Sequence, residues 1–218
     1  MFELFDPAYD VRITAGKLPH WYQPGATYFV TFRTEDSLPR QVAETWHRRR
    51  DDWLRRRRIN PISKTWRESL HRLPLAEQRE YHKLFSEEYL TLLDKGWGKC
   101  VLKQSELAAK VVSSLNHFDG ERYHLGDCVV IPNHVHLLVG LVGDTEIERQ
   151  CHSWKKFSAG EINRALGRDG RFWQEESFDH LVRSPESFER FQRYIADNGP
   201  RAGLAPNEYV YQRSKHAT

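Results

Sequence analysis

The sequence predicts an α+β fold: one antiparallel sheet in a split βαβ arrangement, with helices on one face and a helical insert. Three observations carry that reading. Tyr28 to Arg33 is a run of aromatic and β-branched residues that suits a strand. From Ser105 onward Ala108, Val111, Val112, Leu115 and Phe118 recur at three, four and seven, the period of a helix packed on a sheet. Val130 to Val139 is the longest apolar neighbourhood in a polar chain, and Pro132-Asn133 breaks it into two strands of a tight antiparallel hairpin.

Residues 1–26, rich in Pro and Gly, read as an irregular lead-in to the first strand. Residues 40–96 form the insert. Its first helix, about 40–58, carries Val42, Ala43, Trp46, Trp53 and Leu54 on one side and ends at Asn60-Pro61. Its second, about Leu75 to Lys95, carries Tyr81, Leu84, Phe85, Tyr89 and Leu92 and stops at Gly96. The insert has too little apolar material for a core of its own, so the chain reads as one domain of residues 1–218. Ser105 caps the next helix, which runs to about Phe118. Two strands follow, Tyr123 to Ile131 and Val135 to Val142. Thr145 and Glu148 have capping-box spacing for a helix to about Leu166, with Ile147, Cys151, Trp154, Ile162 and Leu166 buried. Ser177 to Arg183 is a last strand. Ser184-Pro185 opens a last helix, with Phe188, Phe191 and Ile195 toward the core, which Gly199-Pro200 stops. From about 205 the chain reads as a tail. Outside the insert the first six elements are β-α-β-β-α-β, the ferredoxin-like order.

At 218 residues, with a net charge of only +3, the chain has the make-up of a globular protein with a heavily charged surface. Cys100, Cys128 and Cys151 are too widely spaced for a zinc knuckle and too few for a disulfide framework, and suit a reducing cytoplasm. The start, Met1 to Asp6, has no basic region followed by an apolar run, so no signal peptide is expected. No apolar run approaches the roughly 20 residues that span a bilayer. The expected location is the cytoplasm, in association with the nucleoid.

Within the hairpin the residue types change character. Side chains alternate along a strand, so His134 and His136 share a face, their Cα atoms roughly 6.6 Å apart. Two imidazoles so placed can converge on one ion, or can each bond a neighbour on a solvated sheet face. Val135 and Leu137 point to the core. On the last helix Tyr194 and Asn198 are one turn apart and share a face distinct from that of Phe188, Phe191 and Ile195. Alone, they read as a surface aromatic and a helix C-terminal residue.

Taken together, these motifs resemble the REP-associated tyrosine transposases. Ile131-Pro132-Asn133-His134-Val135-His136-Leu137-Leu138 is similar to that family's Pro-Asn-His-x-His-Leu-Leu core. Phe172-Trp173-Gln174 with Phe178 to Arg183 is a second match. Tyr194-Ile195-x-x-Asn198 with Ala202-Gly203-Leu204 is a third. The resemblance covers about residues 28–33 and 100–205. The chain departs from it at Gly199, where proline is usual, at Ile131, where methionine is common, and in the length of its insert.

The resemblance implies a metal-dependent enzyme that nicks and joins single-stranded DNA at hairpins such as repetitive extragenic palindromes. In it, His134, His136 and Asn198 would hold Mg²⁺ or Mn²⁺. Tyr194 would attack the phosphorus and leave a 5′-phosphotyrosine. Two imidazoles and an amide leave the ion its full charge and open positions for phosphate oxygens. The partner is single-stranded or hairpin DNA, with no nucleotide cofactor and no membrane, and the protein acts as monomer or homodimer. Candidate phosphate contacts are Lys155, Lys156, Arg171, Arg183, Arg190 and Arg193. The insert adds Arg55, Arg56, Arg57 and Arg58, which also fit a helix held by surface ion pairs. Two other functions stay open: a non-catalytic DNA-binding regulator, and a His-x-His metal hydrolase completed by His124, Asp127, His152 or His180.

Overall fold

The computed structural model describes residues 2–9, 12–15, 19–63, 65–93, 95–175 and 177–216. The chain divides into two compact units, Met1–Glu35 with Lys99–Thr218, and Asp36–Gly98. In chain order the elements are β1 (Arg12–Ala15), β2 (Pro19–Tyr22), β3 (Thr27–Arg33), α1 (Arg40–Arg56), α2 (Trp66–His71), α3 (Leu75–Tyr81) and α4 (Glu88–Leu93). There follow α5 (Ser105–Asn116), β4 (Tyr123–Ile131), β5 (His134–Leu141), α6 (Ile147–Ala165), β6 (Phe178–Leu181), α7 (Pro185–Arg201) and β7 (Val210–Gln212). No helix among the described residues is long and apolar enough to cross a membrane.

The first unit is built on a five-stranded sheet of order β6-β3-β5-β4-β7, antiparallel at every pairing. Its first four strands have the split βαβ order: β3 and β5 are central, and the crossovers run through α5 and α6. On one face Val30, Phe32, Val130, Val135, Leu137 and Val139 pack with Leu107, Val111 and Leu115 of α5 and Ile147, Trp154 and Ile162 of α6. On the other, Phe29, Val129, Ile131 and Leu138 pack with Phe188 and Ile195 of α7. Helices therefore cover both faces, where the sequence suggested one. The central strands are apolar on both sides, as strands covered twice must be.

Several boundaries differ from expectation. Residues 12–15 and 19–22 of the lead-in form an antiparallel pair, β1 with β2; its residues 1, 10–11 and 16–18 lie outside the described set. Ser105 is already helical, with Gln104 as cap, and Thr145 precedes the true cap Glu146; neither cap makes a side-chain bond. Ser184 does cap α7, its hydroxyl accepting from the Ser187 N–H at 3.2 Å. Gly199-Pro200 does not end that helix. It runs to Arg201 and is closed by Ala202 N–H to Asn198 O at 3.0 Å, before Gly203 turns left-handed at φ 69°. The expected tail supplies β7, paired to the edge of β4. Its last residues, Ala217 and Thr218, lie outside the described set.

The unit 36–98 has its own core, against the expectation of too little apolar material. Trp46, Trp53, Leu54, Ile59, Trp66, Leu70, Tyr81 and Phe85 form a buried cluster. Aromatic size makes up for number, since each such ring buries a large area. Arginine stems extend it. The Arg57 guanidinium lies 3.5 Å from the Trp53 ring centre and bonds Glu77 and Glu80, and Arg50 lies over Trp46 and Trp66. The second insert helix appears as α3, a π-helical stretch at 82–87 and α4; Asp94, expected at its end, lies outside the described set. The two ends of the unit meet. A Cβ on Gly98 (φ 93°) would lie 2.7 Å from the Asp36 carbonyl oxygen.

Candidate active site

The site is built on β5. Register places His134 between Arg33 of β3 and Ile131 of β4, and His136 between Thr31 and Val129. Both histidines point to the α7 face, and neither has any solvent-accessible surface. Their Nε2 atoms are 2.9 Å apart. Each Nδ1 is engaged: that of His134 with the Asn133 side-chain oxygen at 2.8 Å, and that of His136 with the Thr31 hydroxyl at 2.7 Å. The two rings thus meet on one face of the strand, as side-chain alternation implies. The rings are buried rather than set on a solvated face, because α7 lies over them. Burial, and secondarily His134, holds the His136 imidazole well below its ordinary pKa. A neutral ring is the form with a lone pair to offer.

Aromatic contacts fix the His136 ring. Phe29 stacks on it at 5.5 Å, and Phe191 of α7 stacks on Phe29 at 4.4 Å. Tyr194 meets His136 edge-on at 5.1 Å, its hydroxyl 3.5 Å from Nε2. Asn198, one turn further along α7, is buried, and its Oδ1 has no hydrogen-bond partner. A buried acceptor without a donor is costly, and an amide oxygen so placed is what a cation would satisfy. Two imidazole nitrogens and an amide oxygen are donor kinds that suit a divalent ion. Phe188, Phe191, Tyr194, Ile195 and Asn198 all lie on the buried or half-buried side of α7, not on two faces as the spacing suggested.

The residue after Asn198 explains a departure from the resembled family. A Cβ on Gly199 would lie 2.5 Å from the Tyr209 ring, so the C-terminal segment seats directly on the helix backbone. That segment is tied down elsewhere by Asp127, which lies within a bulge in β4 and is buried. Asp127 accepts from the Tyr211 hydroxyl at 2.5 Å, the Ser214 N–H at 3.0 Å and Gln192 of α7 at 3.4 Å. Burial and that carboxylate push the Tyr211 phenol up to about 12, so it remains the donor.

A scan against protein-family models finds no match, and no curated protein matches the sequence. Among solved structures, a REP-associated tyrosine transposase bound to a REP hairpin is similar in fold. It shares 14% identity and a TM-score of 0.44, over 85% of this chain and 73% of that one. At that level the match transfers no residue and no activity.

The expected phosphate contacts are variously engaged. Lys155 donates to the Gln174 and Glu175 carbonyls at 3.3 and 2.6 Å, holding a loop. Arg193 lies 3.7 Å from Glu189, Arg171 4.0 Å from Glu35, and Arg55 3.1 Å from Asp52. Arg190 lies over Phe191 and Arg183 over Phe5, while Lys156, Arg56 and Arg58 are exposed. Among the described residues no three His, Cys, Asp or Glu side chains converge as a metal site. His124 lies beside His216, His180 against Phe191, and His152 in solvent. Sequence reasoning missed Thr31 and Phe29, which reach the site only because β3 is the neighbour of β5. It also missed Tyr209, for which Gly199 was the one signal.

Proposed function

We propose that this protein is a cation-dependent enzyme that nicks and joins single-stranded DNA through Tyr194. The observation that supports it is the convergence of the two Nε2 atoms, the Tyr194 hydroxyl and α7 in one buried layer. His134 and His136, with the Asn198 amide oxygen, would hold Mg²⁺ or Mn²⁺. When bound, the ion supplies polarisation of the non-bridging phosphate oxygens. Tyr194 is half-buried against the pair, so a phosphate approaches from its side. Its oxygen forms a bond to phosphorus, the bond to the 3′-oxygen breaks, the phenol proton leaves, and the 3′-oxygen is protonated. The product is a 5′-phosphotyrosine, which a second 3′-hydroxyl can reverse to join strands. Asn133 and Thr31 hold the two rings in place meanwhile. Phosphate charge falls to exposed cations such as Lys156, Arg190 and Arg193, with Arg56 and Arg58 as candidates on the other unit.

The test is incubation with single-stranded hairpin DNA and Mg²⁺ or Mn²⁺. A covalent protein–DNA band that survives denaturation and maps to Tyr194 is expected, and Tyr194→Phe should bind DNA yet form none. Cutting by the Phe variant would mean a water nucleophile. A second reading, a non-catalytic DNA-binding regulator, draws on the complete burial of both histidine rings. Hairpin binding with no adduct from any substrate would decide for it.

A further inference from the structure

Thr31 stands outside every motif that marks the site, yet it is a direct partner of one of the histidines. It is buried in the middle of β3, opposite His136, with Oγ1 2.7 Å from Nδ1. The corresponding partner of His134 is the Asn133 amide oxygen, at 2.8 Å. These two oxygens differ in kind. An amide oxygen only accepts, so His134 carries its hydrogen on Nδ1 and presents a lone pair at Nε2. The 2.9 Å between the two Nε2 atoms is a hydrogen-bond distance, so His136 carries its hydrogen on Nε2, aimed at that lone pair. His136 Nδ1 is then bare, and the Thr31 hydroxyl donates to it.

A cation shared by both Nε2 atoms requires the other tautomer of His136, with hydrogen on Nδ1 and a lone pair on Nε2. A hydroxyl can accept after it has donated, simply by turning about its Cβ–Oγ bond. An amide oxygen or a methyl could not serve both states. We infer that Thr31 is a positioning residue that serves both neutral tautomers of His136, letting the closed histidine pair become a cation site with Nδ1 bonded throughout. The ring stays neutral: one proton leaves Nε2 and one arrives at Nδ1, while the hydroxyl keeps its own hydrogen. The inference rests on the proposed reading of the pair as a cation site.

The test uses the whole chain without DNA. Mn²⁺ uptake is followed by the resonance of the free ion for wild type, Thr31→Ser and Thr31→Val. Valine keeps the shape and removes the hydroxyl, and should weaken uptake about 10–100-fold, the usual effect of losing a ligand's outer partner. Serine should retain wild-type affinity. Thermal unfolding of each variant separates this from a folding defect. Imidazole ¹⁵N spectra of the wild type need no variant: the His136 hydrogen should sit on Nε2 without cation and on Nδ1 with Mg²⁺. A hydrogen on Nδ1 in both states would overturn the inference, as would equal Mn²⁺ affinity in the valine variant. Should the wild type itself take up no Mn²⁺, the cation reading of the pair falls and this inference with it.

Discussion

Toward α5 and α6, strand β5 presents Val135, Leu137 and Val139; toward α7, the residues between them are His134, His136 and Leu138. All six are fully buried. The first face gains from burial directly, because apolar area leaves water. The second buries imidazoles, a threonine, an asparagine and a carboxylate, which cost free energy unless bonded. Most find partners: Thr31 for His136, Asn133 for His134, and Tyr211 and Ser214 for Asp127. Asn198 Oδ1 does not. The two faces of one strand are thus held by different physics, apolar burial on one side and matched polar pairs on the other.

That contrast can be broken at its apolar side first. Trp154 is 1% exposed and donates to the Tyr123 hydroxyl at 2.9 Å. Trp154→Ala should cost about 3–5 kcal/mol by urea unfolding; a loss near zero would mean that this face is not the main source of stability. Asp127→Ala comes next. It strands the Ser214 N–H and the Tyr211 hydroxyl, and should cost about 3 kcal/mol, with faster amide exchange at 210–212 as the local sign. Gly199→Ala drives a methyl into the Tyr209 ring, for a loss of about 2 kcal/mol. Adding Tyr209→Ala should recover part of it; strict additivity in that cycle would refute the contact. Smallest is Asn198→Leu, which removes an acceptor that is already unpaired and should shift stability by less than about 1 kcal/mol. It should nonetheless abolish Mn²⁺ uptake by the whole chain. A large stability loss with unchanged uptake would show a structural residue.

What the sequence made legible follows from what is local. Alternation at 134–136, the Pro132-Asn133 break and the Ser184-Pro185 cap are decided within a few residues, and each stands. The helix period from Ala108 to Leu115 likewise stands, because packing on a sheet repeats at fixed spacing. What depended on distant neighbours was not legible. The Gly199-Pro200 pair looks like a stop, but the helix gives up the one bond that a Pro200 N–H would have made and still runs to Arg201, and Gly203 supplies the left-handed turn instead. Tyr194 looked like a residue of the outer face, until strand order put Phe29 and His136 beneath it. The apolar content of 36–98 was undercounted because tryptophans and arginine stems, not aliphatic runs, make its core.

The meeting of Gly98 with Asp36 has a consequence for chain topology. A polymer inserted into a loop ordinarily adds closure entropy that grows with the logarithm of its length. Here the inserted residues fold into a body whose two ends touch, so to the strand before and the helix after they amount to a stitch of near-zero span. Such a segment is interchangeable. A short turn, or an unrelated domain with adjacent termini, could take its place without shifting the β3–β5 register by one residue, and the backbone amide spectrum of the sheet would show as much. The arginine-bearing unit is in that sense an exchangeable body with a core of its own.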